Sequence, residues 1–187
     1  MYRILPHGDD FFEVCDECGF DGALVDMNTA AAMLRSLGDR WTSAFSYSDE
    51  LLRARPAPET WCPVEYAQHT AYAIGAIEWA AREFVDGRSP DWAQEPKGLA
   101  GQFEHDTHGC EQFEIAATLD ALGSAATSMA AFATTLTPAD QARTATYADG
   151  LVINTAAVVR HALHDAEHHL LDVRRGIARL QLGTSAG

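Results

Sequence analysis

Lysine is almost missing from this chain. Of its 13 basic side chains one, Lys97, is a lysine, while 27 acidic side chains bring the formal net charge to -14. A surface of that sign repels phosphate backbones and anionic lipid, so binding to nucleic acid or to a membrane surface is disfavoured as a principal role. Also missing is any run of roughly eighteen apolar residues, and Met1–Asp10 lacks the apolar stretch of a secretion signal. The expectation is a soluble, cytoplasmic protein. Four cysteines in a chain of this size and compartment read as thiols or metal ligands rather than as a disulfide framework. Alternating β-branched runs are scarce, and no internal repeat, heptad run or low-complexity tract occurs.

What is present is alanine, leucine and valine at helical spacing, in 187 residues that can bury one core without metals or disulfides. The reading is a single domain over 1–187, with a Cys-x-x-Cys extension over 1–26 and a helical bundle over 27–182. Helix one begins near Asn28–Thr29 and runs to about Leu52, its apolar face formed by Met33, Leu34, Leu37, Trp41, Phe45 and Leu52. A turn over Arg53–Thr60 follows. Helix two opens at Trp61–Tyr66, with Pro63 in the first turn and Glu65 favourable to the dipole. Its inward stripe holds Cys62, Tyr66, His69, Ala73 and Ala76. The glycine- and proline-bearing region from Asp86 to about Glu114 is long enough to be a pocket wall or lid, with Trp92 and Phe103 either lining a pocket or anchoring the loop. Helix three covers about Glu114 to Leu136, a polar linker reaches Gly150, and helix four runs from near Asn154 to Leu180. The economical fold is all-α, a four-helix bundle.

Two motifs carry chemistry. The stretch His161–Leu171 holds four of the eight histidines. On a helix, His164 and His168 are an i, i+4 pair leaning the same way from one face, on a stripe with Ile153, Ala157, His161 and Leu171. Such a pair occurs by chance on helices and offers two donors where zinc needs three or four. His69, on the inner stripe of helix two, is placed to supply a third.

The other motif, Cys15-Asp-Glu-Cys18-Gly-Phe, has the shape of a zinc knuckle, in which the turn after the second cysteine lets backbone N–H groups reach the sulfurs. It is half a site. The remainder would come from His7, His105, His108 or Cys110; unmetallated thiols packed on the bundle and, less readily, a redox pair are the alternatives. Cys62 reads as a buried thiol.

Trp61-x-Pro63-x-Glu65-Tyr66-x-x-His69 together with His164-x-x-x-His168 resembles the DinB-like superfamily of bacterial four-helix-bundle proteins. The resemblance runs from helix one to helix four. It implies a divalent metal, zinc or nickel, held by His69, His164 and His168. It also implies kinship with S-transferases and isomerases that use mycothiol, bacillithiol or glutathione. The preference for arginine over lysine, with abundant alanine, fits a GC-rich genome and would favour mycothiol, and the Cys-x-x-Cys-Gly-Phe segment is similar to that of an actinobacterial branch.

Three neutral imidazoles would leave the metal its full charge and an open position, at which a bound thiol loses its proton and attacks an electrophile. Asp165 or Glu167 is a candidate to orient a ligand imidazole, and His161 or His169 to move protons. Cys62, Tyr66, Trp92 and His161 are the candidates to line the substrate pocket, and Cys15 with Cys18 a second zinc site. The expected partners are a small thiol and an electrophilic substrate, with a homodimer left open. A zincin-like reading of His164-Asp-Ala-Glu-His168 lacks a downstream ligand, and a di-iron centre lacks carboxylates. The non-enzymatic alternative is a metal-stabilised binding or stress-response module.

Overall fold

The computed structural model describes residues 2–7, 10–95, 109–147 and 150–184. Four long helices dominate: α1 (Met27–Ala44), α3 (Pro63–Val85), α4 (Ile115–Thr135) and α6 (Thr155–Thr184). Between them lie the short helices α2 (Asp49–Arg53) and α5 (Pro138–Ala142). Strands β1 (Tyr2–His7) and β2 (Asp10–Cys15) pair antiparallel, as do β3 (Thr144–Thr146) and β4 (Val152–Asn154).

The long helices pack in a ring, α1 on α4, α4 on α3, α3 on α6 and α6 back on α1, around Leu34, Leu37, Trp41, Ile74, Phe84, Leu122, Met129, Leu163 and Leu170, all at most 1% exposed. This is the expected helical bundle. Where α1 crosses α4, Gly38 faces Gly123: a Cβ on Gly38 would lie 3.3 Å from the Gly123 Cα, so the absence of side chains sets the approach. α4 is long and apolar enough by composition to cross a membrane, yet it packs between α1 and α3.

Local chemistry places the helix ends. Asp26, not Asn28 or Thr29, caps α1, its Oδ1 accepting from the Thr29 N–H at 2.7 Å. α1 stops at Ala44, because Ser48 caps a new helix and the chain turns there; the single helix expected to reach Leu52 is two. At the start of α3, Pro63 needs no N–H partner, and the Cys62 N–H donates to Glu65 Oε2 at 2.9 Å. The linker before α6 holds α5, β3 and β4, and Asn154 Oδ1 caps α6 through the Ala157 N–H.

The unexpected element is the N-terminal hairpin. β2 lies against α6 and β4. Arg160 ties the chain that follows β2 to α6, its Nε donating to the Val25 carbonyl at 2.8 Å while its guanidinium covers the Phe12 ring. The described part of the 1–26 extension is therefore built into the bundle's flank.

Candidate metal centre

α6 advances about 100° per residue, so its His-rich turn points in two directions. His164 and His168 turn toward the hairpin, whereas Asp165 and His169, one residue on, turn toward α3.

On the α3 side, ligand atoms of His69, Asp165 and His169 all lie within 4.8 Å of one another. His69 Nε2 is 3.8 Å from Asp165 Oδ2, and His169 Nε2 is 3.4 Å from Asp165 Oδ1. The far nitrogen of His169, Nδ1, is 3.2 Å from Asp172 Oδ2, the carboxylate support that orients metal-binding imidazoles. Trp61 and Tyr66 wall this cluster, with ring centroids 5.1 Å from His69 for Trp61 and 5.3 Å from His169 for Tyr66. Burial would raise the Asp165 carboxyl, but the hydrogen bond from His169 and the neighbouring imidazoles hold it at about 2. Burial would likewise lower His169, but its bonds to Asp165 and Asp172 keep it at about 9.

On the hairpin side, ligand atoms of Cys15, Cys18, His164 and His168 also fall within 4.8 Å of one another. Cys15 Sγ lies 3.5 Å from His168 Nδ1. Burial would raise the Cys15 thiol, but the Cys18 and Glu17 N–H groups and the His164 imidazole outweigh it and bring the thiol to about 6. Burial and the neighbouring Cys15 push Cys18 up to about 11. A cavity of about 310 Å³ opens on this side, lined by Cys15, Glu17, His161, His164 and His168, with Asp165 reaching it from the other cluster.

The expected histidine triad is thus divided. His164 and His168 are together, but their neighbours are Cys15 and Cys18, and His69 instead meets Asp165 and His169. Nor does the Cys-x-x-Cys pair form a site of its own: it shares one with the helical histidines. Of the residues expected to complete it, His105 and His108 lie outside the described residues and His7 is in β1. Cys110 is bonded to Cys62 in a disulfide, with Cα atoms 6.4 Å apart. Cys62 is accordingly neither a thiol nor a pocket residue. Both cysteines are buried where the start of α3 meets the segment leading into α4, and Arg53 grips that segment through the carbonyls of Cys110 and Phe113.

Among the other pocket candidates, Trp92 anchors its loop. Its Nε1 donates to the Tyr147 carbonyl at 3.0 Å, and its ring meets Trp79 edge-on. Phe103 is outside the described residues. Tyr66 stands beside His169, and His161 does line the cavity. Glu167 pairs with Arg40, away from both clusters. Glu13 carried no signal in the sequence, yet its carboxylate holds two histidines: Oε1 lies 2.8 Å from His161 Nδ1, and Oε2 lies 2.8 Å from His164 Nδ1. The signal for Asp165 and His169 was present as a second i, i+4 pair within the same turn.

The donor sets differ in kind. Two imidazoles and one carboxylate match the three-ligand sets of catalytic zinc. At that cluster Asp165 Oδ2 is buried with no hydrogen-bond donor among the described residues, the situation a cation relieves. Comparison with curated proteins gives no match. The profile of the DinB superfamily matches residues 26–173, from the cap of α1 through the histidine cluster of α6. On that match, which takes in α1, α3, α4, α6 as far as Val173 and the residues of the α3–α6 cluster, the chain belongs to the DinB superfamily.

Proposed function

We propose that the chain is a metal-dependent thiol S-transferase or isomerase, with a divalent cation, zinc or nickel, held by His69, Asp165 and His169. The observation that carries this reading is the meeting of those three side chains, of which Asp165 also lines a cavity of about 310 Å³, within the size range of small-molecule pockets. A cation held there supplies net positive charge and open coordination positions, which lower the pKa of a bound thiol into the neutral range. One carboxylate among the ligands makes this site less positive than three imidazoles would.

The protein's own groups do the rest. Asp172 fixes the His169 ring, and Trp61 and Tyr66 keep water from one side of the cluster. His161, held by Glu13, presents its ring at the cavity wall, where a substrate in the cavity would meet it. In the reaction the thiol releases its proton to solvent, and the electron pair of its sulfur forms a sulfur–carbon bond. Then either the leaving group departs with its electron pair, or the thiolate is expelled again after rotation about the attacked bond. The low-molecular-weight thiol fitting this reading is mycothiol or a relative.

A coupled test uses full-length protein loaded with zinc, a thiol such as mycothiol or glutathione, and an activated alkene or aryl chloride. Metal-dependent acceleration is expected in wild type and is lost in His69→Ala and His169→Ala. Stoichiometric metal at this cluster without acceleration by any thiol would instead identify a non-catalytic metal-binding module.

A further inference from the structure

We infer that Cys15, Cys18, His164 and His168 form a second metal site, a closed structural zinc centre that clamps the N-terminal hairpin onto α6. It is distinct from the cluster of His69, Asp165 and His169.

The argument begins with the turn. Gly19 follows Cys18 with φ of +75°, and its N–H donates to the Cys15 carbonyl at 2.9 Å. The Cys15 N–H in turn donates to the Phe20 carbonyl at 2.9 Å, so the loop folds back on itself. Both sulfurs then face His164 and His168, and the ligand atoms of all four residues lie within 4.8 Å of one another. Four donors of the kind zinc prefers, converging from a turn and a helix, make the set of a structural zinc centre. Cys15 is 2% exposed, so a metal held by its sulfur would be shielded from solvent on that side.

The distances agree. With zinc–sulfur bonds of about 2.3 Å and zinc–nitrogen bonds of about 2.0–2.1 Å, tetrahedral geometry separates sulfur from nitrogen by about 3.6 Å. Cys15 Sγ and His168 Nδ1 are 3.5 Å apart. Both imidazoles have a carboxylate at the nitrogen turned away from the thiols. His164 Nδ1 is 2.8 Å from Glu13 Oε2, and His168 Nε2 is 3.7 Å from Asp172 Oδ2. Two thiolates and two neutral imidazoles balance a zinc ion, and a tetrahedral S₂N₂ set selects zinc over harder cations.

The redox alternative fits less well. Cys15 ends a strand and Cys18 sits in a turn, so neither thiol lies at the N-terminus of a long helix, where a thioredoxin-like cysteine is activated. A two-stranded hairpin alone is marginally stable, and a cation joining its end to α6 would add to the Arg160 and Glu13 contacts that dock it. Glu13 supports His164 and also His161 at the cavity wall, so zinc at this site would fix one side of the candidate pocket.

Cobalt substitution tests the assignment independently of the His69 cluster. Cobalt-loaded wild type should show an intense thiolate-to-cobalt charge-transfer band with tetrahedral visible bands. Cys18→Ser should lose the charge-transfer intensity, and His69→Ala should keep it while losing one metal equivalent if its own cluster is loaded. In wild-type zinc protein, the two thiols outside the disulfide should resist a thiol-titrating reagent until a chelator is added. Cobalt bound without the charge-transfer band would overturn the assignment, as would thiols equally reactive with and without chelator.

Discussion

Glu13 Oε2 and His164 Nδ1 stand 2.8 Å apart although 151 positions separate them in the chain. The strand end and the helix middle meet through one hydrogen bond, and the other oxygen of the same carboxylate holds His161. Removing the carboxylate takes this support from both rings. Glu13→Ala should therefore weaken zinc binding at the Cys15–His168 cluster by about 10–100-fold, the usual effect of losing such a support. Competition with a chromophoric chelator measures it; unchanged affinity would falsify the supporting role.

Gly22 sets the path of β2. A Cβ there would sit 3.1 Å from the Glu13 nitrogen and 3.2 Å from its oxygen, both backbone atoms that cannot swing aside. Gly22→Ala should displace the strand and cost about 1–3 kcal/mol. Thermal unfolding should show the lower stability, and thiol titration should show Cys15 and Cys18 becoming accessible.

The Cys62–Cys110 disulfide closes a separation of 48 residues. On chain-entropy grounds its loss should cost about 2–4 kcal/mol. Cys62→Ala/Cys110→Ala should unfold at lower denaturant than wild type, with wild type in reductant matching the variant. Coincident curves for oxidised wild type and variant would show that the bond adds nothing to stability.

Glu95 lies under Tyr72, and burial raises its carboxyl above the ordinary value of 4.5 although Tyr72 Oη donates to it at 3.5 Å. An acid whose folded pKa is raised favours the folded state fully below its unfolded pKa, and that contribution is lost as pH rises through the folded value. Tyr72, pushed up to about 12 by burial and by Glu95, acts in the same direction at alkaline pH. Unfolding free energy measured from pH 4 upward should therefore fall more in wild type than in Glu95→Gln. Parallel profiles would show that the buried carboxyl is not linked to stability.

The helical bundle was legible because apolar residues recur at helical spacing over segments long enough to outweigh local exceptions, and because Pro63 marks a helix start on its own. Ser48 shows the limit of that signal. Its hydroxyl caps α2 and ends the continuity that the apolar face from Met33 to Leu52 implied. The hairpin was missed because two six-residue strands carry little periodic signal, and their docking depends on Glu13, Arg160 and Gly22, which meet partners far away in sequence. The loop carrying Trp92 was legible as a loop, but the Trp79 and Tyr147 contacts that anchor it were not.

By itself the sequence determined that His164 and His168 share one face of α6, since i, i+4 spacing fixes their relative direction, and that Cys15-x-x-Cys18-Gly makes a knuckle-shaped turn. It also determined that His69 lies on the inner stripe of α3. Only the tertiary structure decided which face of α6 turns to α3 and which to the hairpin. A rotation of about 100° separates His164 from Asp165, less than the width of the stripe that helical periodicity resolves. Packing of Leu163, Leu170 and Val173 into the core fixes that rotation. It brings Asp165 and His169 to His69 and leaves His164 and His168 to the two cysteines.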